Sequence, residues 1–158
     1  MTEPIWTYNG KLITEIPDMP EGTYGFIYEV THLETKQKYI GKKVLFFERN
    51  KRLGKRALEA LRLERKAKGI GGRTPLKQKV ITESDWVSYF GSHLKIKELL
   101  KSDGPLAFSK KIIQYVPNKK QLTYFECKPL FINEVLDSRN NYINDNILGK
   151  FYRKDFNL

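Results

Sequence analysis

Two stretches rich in aromatic and β-branched residues, 24–31 (YGFIYEVT) and 38–44 (KYIGKKV), flank the polar run Leu33-Glu34-Thr35-Lys36-Gln37. That composition favours strands, and a polar connection of this length favours antiparallel pairing, so a β-hairpin constrains the fold more than any other feature. Two-residue alternation sends Phe26, Tyr28 and Val30 to one face and Ile27 and Glu29 to the other. A hairpin tyrosine among apolar neighbours is ordinarily core filler. Tyr28 and Tyr39 therefore gain meaning only from the residues that accompany them.

Charge narrows the partners. From Lys42 to Lys79 fourteen basic residues face three acidic ones, Glu48, Glu59 and Glu64, while the remaining fifteen of each sign cancel. One window thus holds the whole net charge of +11. A solvated helix face would mix the signs, so this run points to a polyanion, nucleic acid first. With 158 residues, 40% apolar and 30% charged, the chain is expected to be a single domain with a real core. No apolar run approaches the roughly 20 residues of a membrane span, and the N-terminus MTEPIW lacks a signal segment, which predicts a cytoplasmic protein without membrane partners. The lone Cys127 excludes an internal disulfide and a cysteine-based zinc site, and His32 and His93 read as surface or structural residues.

Along the chain, an N-terminal arm (1–22) with a short hairpin around Asn9-Gly10 precedes a single domain, 23–158. A helix is predicted from Leu45 or Phe46 toward Lys68, with Leu53, Ala57 and Leu61 as its buried stripe and Gly54 marking a break. The segment Gly69-Ile70-Gly71-Gly72 reads as a hinge loop, because no Walker spacing accompanies it. In Trp86-Val87-Ser88-Tyr89-Phe90-Gly91-Ser92, Trp86 and Tyr89 are expected on the sheet, Gly91 in a turn and Ser92 capping a helix that stops at Ser102-Asp103-Gly104-Pro105. A third strand follows over 106–116, where the pair Lys110-Lys111 suggests an exposed edge or a bulge. Asn118 caps the next helix, whose Leu122, Phe125 and Glu126 share one face, with Pro129 expected to break or kink it. A buried Glu126 would cost several kcal/mol unless paired or bound to a metal. Glu134 is its rival. The fold class is α/β in the α+β sense: a small antiparallel sheet of three strands flanked by helices, with a basic helix-loop insertion over 45–85.

The segment Phe26-Ile27-Tyr28 is followed, eleven residues on from its tyrosine, by Tyr39-Ile40-Gly41, and Arg49 lies ten residues beyond Tyr39. This spacing resembles the signature of the GIY-YIG nucleases, with Phe26 in the glycine slot and Gly25 one place early. The W-x-x-Y-x-G-S string at Trp86 resembles one in a phage-associated branch of that family. The resemblance covers residues 24–149. It implies Tyr28, Tyr39 and Arg49 as catalytic residues, Arg49 arriving from the first helix, and Glu126 as the metal-binding glutamate. Gly41 and Asn144, in Tyr142-Ile143-Asn144, would order the site. Some members carry a histidine or tyrosine where this chain has Leu53, so Lys42 or Lys43 would have to serve instead.

The implied activity is a metal-dependent DNA endonuclease, of phage or homing type, acting in a bacterial cell or a phage-infected host. Hydrolysis needs an activated water, neutralised phosphoryl charge and support for the leaving oxygen. Tyr28 would supply the first, its phenolic proton made easier to lose by the cation or nearby lysines. Tyr39 would hold water or phosphate. Mg²⁺ suits a lone carboxylate with retained waters, with Mn²⁺ as a substitute. Lys42, Lys43, Arg52, Lys55, Arg56, Arg62, Arg65, Lys66, Lys68 and Arg73 would contact DNA, expected to be double-stranded, with a protein partner or a homodimer aiding target selection. Two alternatives stand beside this reading: a non-catalytic nucleic-acid-binding protein on the same scaffold, and a nuclease specific for DNA structure or for RNA.

Overall fold

The computed structural model describes residues 3–156, which divide into two compact units, 3–45 with 85–156, and Phe46–Ser84. In the first unit β1 (Trp6–Tyr8) and β2 (Lys11–Ile13) form the expected hairpin, Asn9 and Gly10 turning it with φ of 48° and 80°. The predicted pair becomes β3 (Gly25–His32) and β4 (Lys38–Val44). The second unit holds β5 (Phe46–Arg52), α1 (Lys55–Ala67) and β6 (Lys77–Glu83). Back in the first unit follow α2 (Leu94–Asp103), β7 (Phe108–Val116), α3 (Lys119–Ile132) and a two-residue pair, β8 (Asn146–Ile147) with β9 (Phe151–Tyr152).

The main sheet runs β2-β1-β7-β3-β4. Its centre, β7-β3-β4, is the antiparallel trio read from the sequence, but the sheet is five-stranded and mixed, because β1 pairs with β7 in parallel. β7 is therefore an inner strand, not an edge. A bulge does occur in it, at Ile113, where the register against β3 shifts. The two lysines diverge because neighbours on a strand point to opposite faces. Lys111 is exposed, whereas Lys110 is buried against the Trp6 and Phe90 rings, 4.4 and 4.5 Å from their centroids, and donates to the Val87 carbonyl. Burial pulls its amine down to about 8.

Alternation along β3 builds both cores. Phe26, Tyr28 and Val30 pack with Trp6, Leu45, Trp86 and Ile96 of α2 on one face. Ile27 packs with Ile40, Leu122 and Leu130 on the other, where α3 lies. Phe26, in the glycine slot, stands edge-on to Trp6 and Trp86, and the Trp6 indole donates to the Trp86 carbonyl at 2.7 Å. Pro129 does not break α3, which continues to Ile132. His32, at the end of β3, is buried and locked structurally, its ring nitrogens 2.8 Å from Thr35 Oγ1 and from Asp103 Oδ2.

The second unit departs most from expectation. Residues 46–52 form a strand paired along its length with β6, so the helix starts only at Lys55, with Gly54 as its N-cap. The predicted stripe of Leu53, Ala57 and Leu61 is not buried: Ala57 is exposed, Leu53 and Leu61 are only half-covered, and all three line a groove with Pro75 and Gln78. No residue of α1 is buried.

Candidate active site

Tyr28 and Gly41 face each other across the β3–β4 ladder, and Tyr39 projects from the same face two residues earlier. The Tyr28 ring is 1% exposed, with its centroid 6.2 Å from Tyr39, 5.9 Å from a perpendicular Tyr89 and 5.3 Å from Trp6. A Cβ at position 41 would overlap the Tyr28 hydroxyl and come within 3.0 Å of the Tyr39 ring, so glycine leaves the phenol its place. Gly91 is fixed twice over: its φ is +135°, and a Cβ there would lie 2.9 Å from Ile96 and 3.1 Å from the Tyr39 ring.

The Tyr28 phenol neighbours that of Tyr89, and the Tyr39 phenol neighbours the Ser92 hydroxyl. Burial, and after it the neighbouring phenols of Tyr39 and Tyr89, push the Tyr28 hydroxyl well above the ordinary tyrosine range, with the Glu126 charge adding to the rise. Burial raises Tyr39 as well, against the opposing pull of the Ser92 hydroxyl. Here the structure corrects the sequence-based expectation that nearby lysines ease the loss of the Tyr28 proton. Lys42 sits 2.8 Å from Glu126, and Lys43 is paired with Asp85 and stacked 3.8 Å over the Tyr89 ring.

Strand alternation sends Lys42 to the sheet face opposite the tyrosines, where α3 presents Glu126. Glu126 is half-buried, its side chain 19% exposed. Both faces meet at the outer edge of β4. There residues 141–144 run alongside the strand, and the Asn144 side chain accepts from Ile40 N at 3.0 Å and donates to Ile40 O at 2.8 Å, completing a ladder that the backbone leaves unpaired. Arg153 holds this segment by donating to the carbonyls of Val135, Tyr142 and Asn144. Along the edge opens a cleft of about 310 Å³ lined by Tyr39, Lys42, His93, Glu126, Asn144 and Asp145.

The structure thus brings Tyr39, Lys42, Glu126 and Asn144 to one cleft, with Tyr28 and Gly41 directly behind Tyr39. Arg49 stands elsewhere than predicted: on β5 of the second unit, exposed and opposite Val80, rather than on a helix. Glu134 is exposed in a left-handed turn (φ 46°). Of the expected DNA contacts, Lys43 is buried, at 7% exposure. Arg52 lies on β5, Lys55, Arg56, Arg62, Arg65 and Lys66 on α1, Lys68 at its C-cap and Arg73 in the following loop.

Sequence reasoning misses several site residues. Tyr89 and Ser92 neighbour the two tyrosines, although the W-x-x-Y-x-G-S string that carries them reads as structural from its sequence alone. His93, not Ser92, caps α2, its Nδ1 accepting from Lys95 N, and its ring lies 5.9 Å from Tyr39. Its Nε2 faces Asp145 at 3.3 Å. Burial would raise the Asp145 carboxyl, but bonds from Asn146 and His93 hold it below its usual value. Distance in sequence hides this pair.

An α+β fold whose tyrosines meet across a central hairpin, beside an edge cleft holding a glutamate from α3, has the make-up of a GIY-YIG nuclease domain. Residues 6–147 match the family model described as "Putative endonuclease segE, GIY-YIG domain", and the chain belongs to this family. No curated protein and no solved structure matches it.

Proposed function

We propose that this chain is a cation-dependent endonuclease that hydrolyses phosphodiester bonds in double-stranded DNA. The observation that carries the proposal is the convergence of Tyr39, Glu126 and Asn144 on one polar cleft, with the Tyr28 phenol seated behind it against Gly41. Tyr28 takes the proton of the attacking water, and Tyr39 orients the water or the phosphate.

The cleft fits a hard divalent cation. It offers carboxylate oxygens from Glu126 and Asp145, and Glu126 already holds one positive group, the Lys42 ammonium, at 2.8 Å. Glu126 would hold Mg²⁺, with Mn²⁺ able to replace it, and such an ion supplies stabilisation of the leaving oxygen and of the phosphoryl charge. Burial and the Glu126 charge both oppose a Tyr28 phenolate, so the base step needs added positive charge near the phenol. Lys43 serves here as a positioning group for Tyr89 rather than as a surface contact to DNA.

A second reading, a non-catalytic nucleic-acid-binding protein, is favoured by two features of the site: Glu126 is engaged by Lys42, and Tyr28 is sealed from solvent. Supercoiled plasmid incubated with and without Mg²⁺ separates the two. The expected result is nicked or linear product only with the cation, and none with Glu126→Gln, which should bind DNA as wild type does. Uncut plasmid with wild type in both Mg²⁺ and Mn²⁺ would hand the lead to the binder. Full cleavage by Glu126→Gln would move the cation to another carboxylate.

A further inference from the structure

The second unit has strands and a helix but almost no interior. α1 contributes no buried residue, every residue of β5 is exposed, and β6 half-covers only Val80. An isolated helix of this length is marginal in water, as is a lone two-stranded hairpin, and modules below about 40 residues usually need a staple. The chain's lone cysteine lies outside this unit. Yet the unit carries twelve basic residues against four acidic ones, a net charge of +8 for Phe46–Ser84.

The basic side chains are sorted on α1. Helical geometry puts Lys55, Arg62 and Lys66 on one face, with Glu59 among them, while Ala57, Ala60 and Leu61 turn to the groove at Pro75 and Gln78. Lys68 is spent on Glu64, and Arg65 ties the glycine loop by donating to the Gly71 carbonyl at 2.9 Å. Lys55, Arg62 and Lys66 enter no ion pair among the described residues.

We infer that Phe46–Ser84 is a docking arm that gains its stability on the DNA backbone: the Lys55, Arg62 and Lys66 face of α1 seats on phosphates, and binding orders the helix and the β5–β6 ribbon together. Charge complementarity selects a duplex as the occupant, since neutralised phosphates release condensed counterions and binding to the folded form alone stabilises it by mass action. The inference rests on the DNA-binding part of the proposed function and is independent of the cleavage chemistry.

Amide hydrogen exchange of the full chain in EDTA, with and without a 30-base-pair duplex, tests it, with affinity measured in parallel by anisotropy. Without DNA, amides of β5, α1 and β6 should exchange at least tenfold faster than those of β3, and saturating duplex should slow them by tenfold or more. Lys55→Gln, Arg62→Gln and Lys66→Gln combined should remove most of that gain and leave β3 unchanged. Tight binding with no change in β5, α1 and β6, protection equal to that of β3 before DNA is added, or a full gain in the triple variant would overturn the docking arm while leaving DNA binding intact. Absence of duplex binding would overturn both. A gain with phosphatidylserine vesicles but not with duplex would reassign the arm to a membrane.

Discussion

The two units solve opposite problems with the same strand and helix vocabulary. In the first, β3 is buried along nearly its whole length, with α2 against one face and α3 against the other, and the site's side chains are held by aromatic packing and backbone bonds. In the second, a seven-residue strand pairs with a seven-residue partner and almost nothing is covered. A reacting centre needs groups fixed to within fractions of an ångström, which only close packing provides. A phosphate-tracking surface needs exposed charge, and charge at that density leaves little apolar surface with which to build a core.

The contrast predicts unequal costs for equivalent truncations. Trp86→Ala removes a wholly buried ring that stands edge-on to Phe26 and whose backbone carbonyl accepts from Trp6, and it should lower the stability of the first unit by about 3–5 kcal/mol in denaturant unfolding. Leu61→Ala, at a half-covered site, should cost under about 1 kcal/mol in the same measurement. Comparable losses at the two positions would show that the second unit has an interior after all.

A smaller effect is expected from charge. Replacing Arg62, Arg65, Lys66 and Lys68 with glutamine should flatten the plot of log affinity against log salt by about 0.9 for each phosphate that is no longer neutralised, without moving the thermal midpoint of the first unit. An unchanged slope would place the DNA on another surface.

The smallest effect concerns Lys110. Its amine is lowered to about 8 when folded and titrates near 10.4 when unfolded, so between those values the unfolded chain binds more protons and stability rises with pH. The penalty is fully present below pH 8. Raising pH from 7 to 9.5 should add on the order of 1 to 2 kcal/mol in wild type and less in Lys110→Met, a difference read from paired denaturation curves. Parallel curves would mean that the Val87 carbonyl and the two rings already stabilise the charged amine.

What is legible in the sequence follows the same division. The β3–β4 hairpin, the split of Phe26, Tyr28 and Val30 from Ile27, and the Asn118 cap rest on short-range rules of period and capping, and each appears in the structure. The strand at 46–52 is not legible, because FFERNKR carries helix-forming charged residues and becomes a strand through pairing with β6, about thirty residues away. The parallel β1–β7 pairing is likewise non-local. In the site, the tyrosines can be read from motif spacing and Glu126 from the helix face it shares with Leu122 and Phe125 together with the family resemblance, whereas Lys42 on Glu126, and Asp145 beside His93, are pairings that only the folded chain reveals.

Single-turnover cleavage by Tyr28→Phe, followed across pH beside wild type, decides whether this phenol is the general base. The variant keeps the ring among Trp6, Tyr39 and Tyr89, so stability should change by about 1 kcal/mol, the scale of one hydrogen bond, and DNA affinity should hold. The cleavage rate should fall by about 10²–10⁴-fold, as expected when a general base is removed. A variant that cuts at the wild-type rate with the wild-type pH dependence would contradict the assignment of Tyr28 as the group that takes the proton from water.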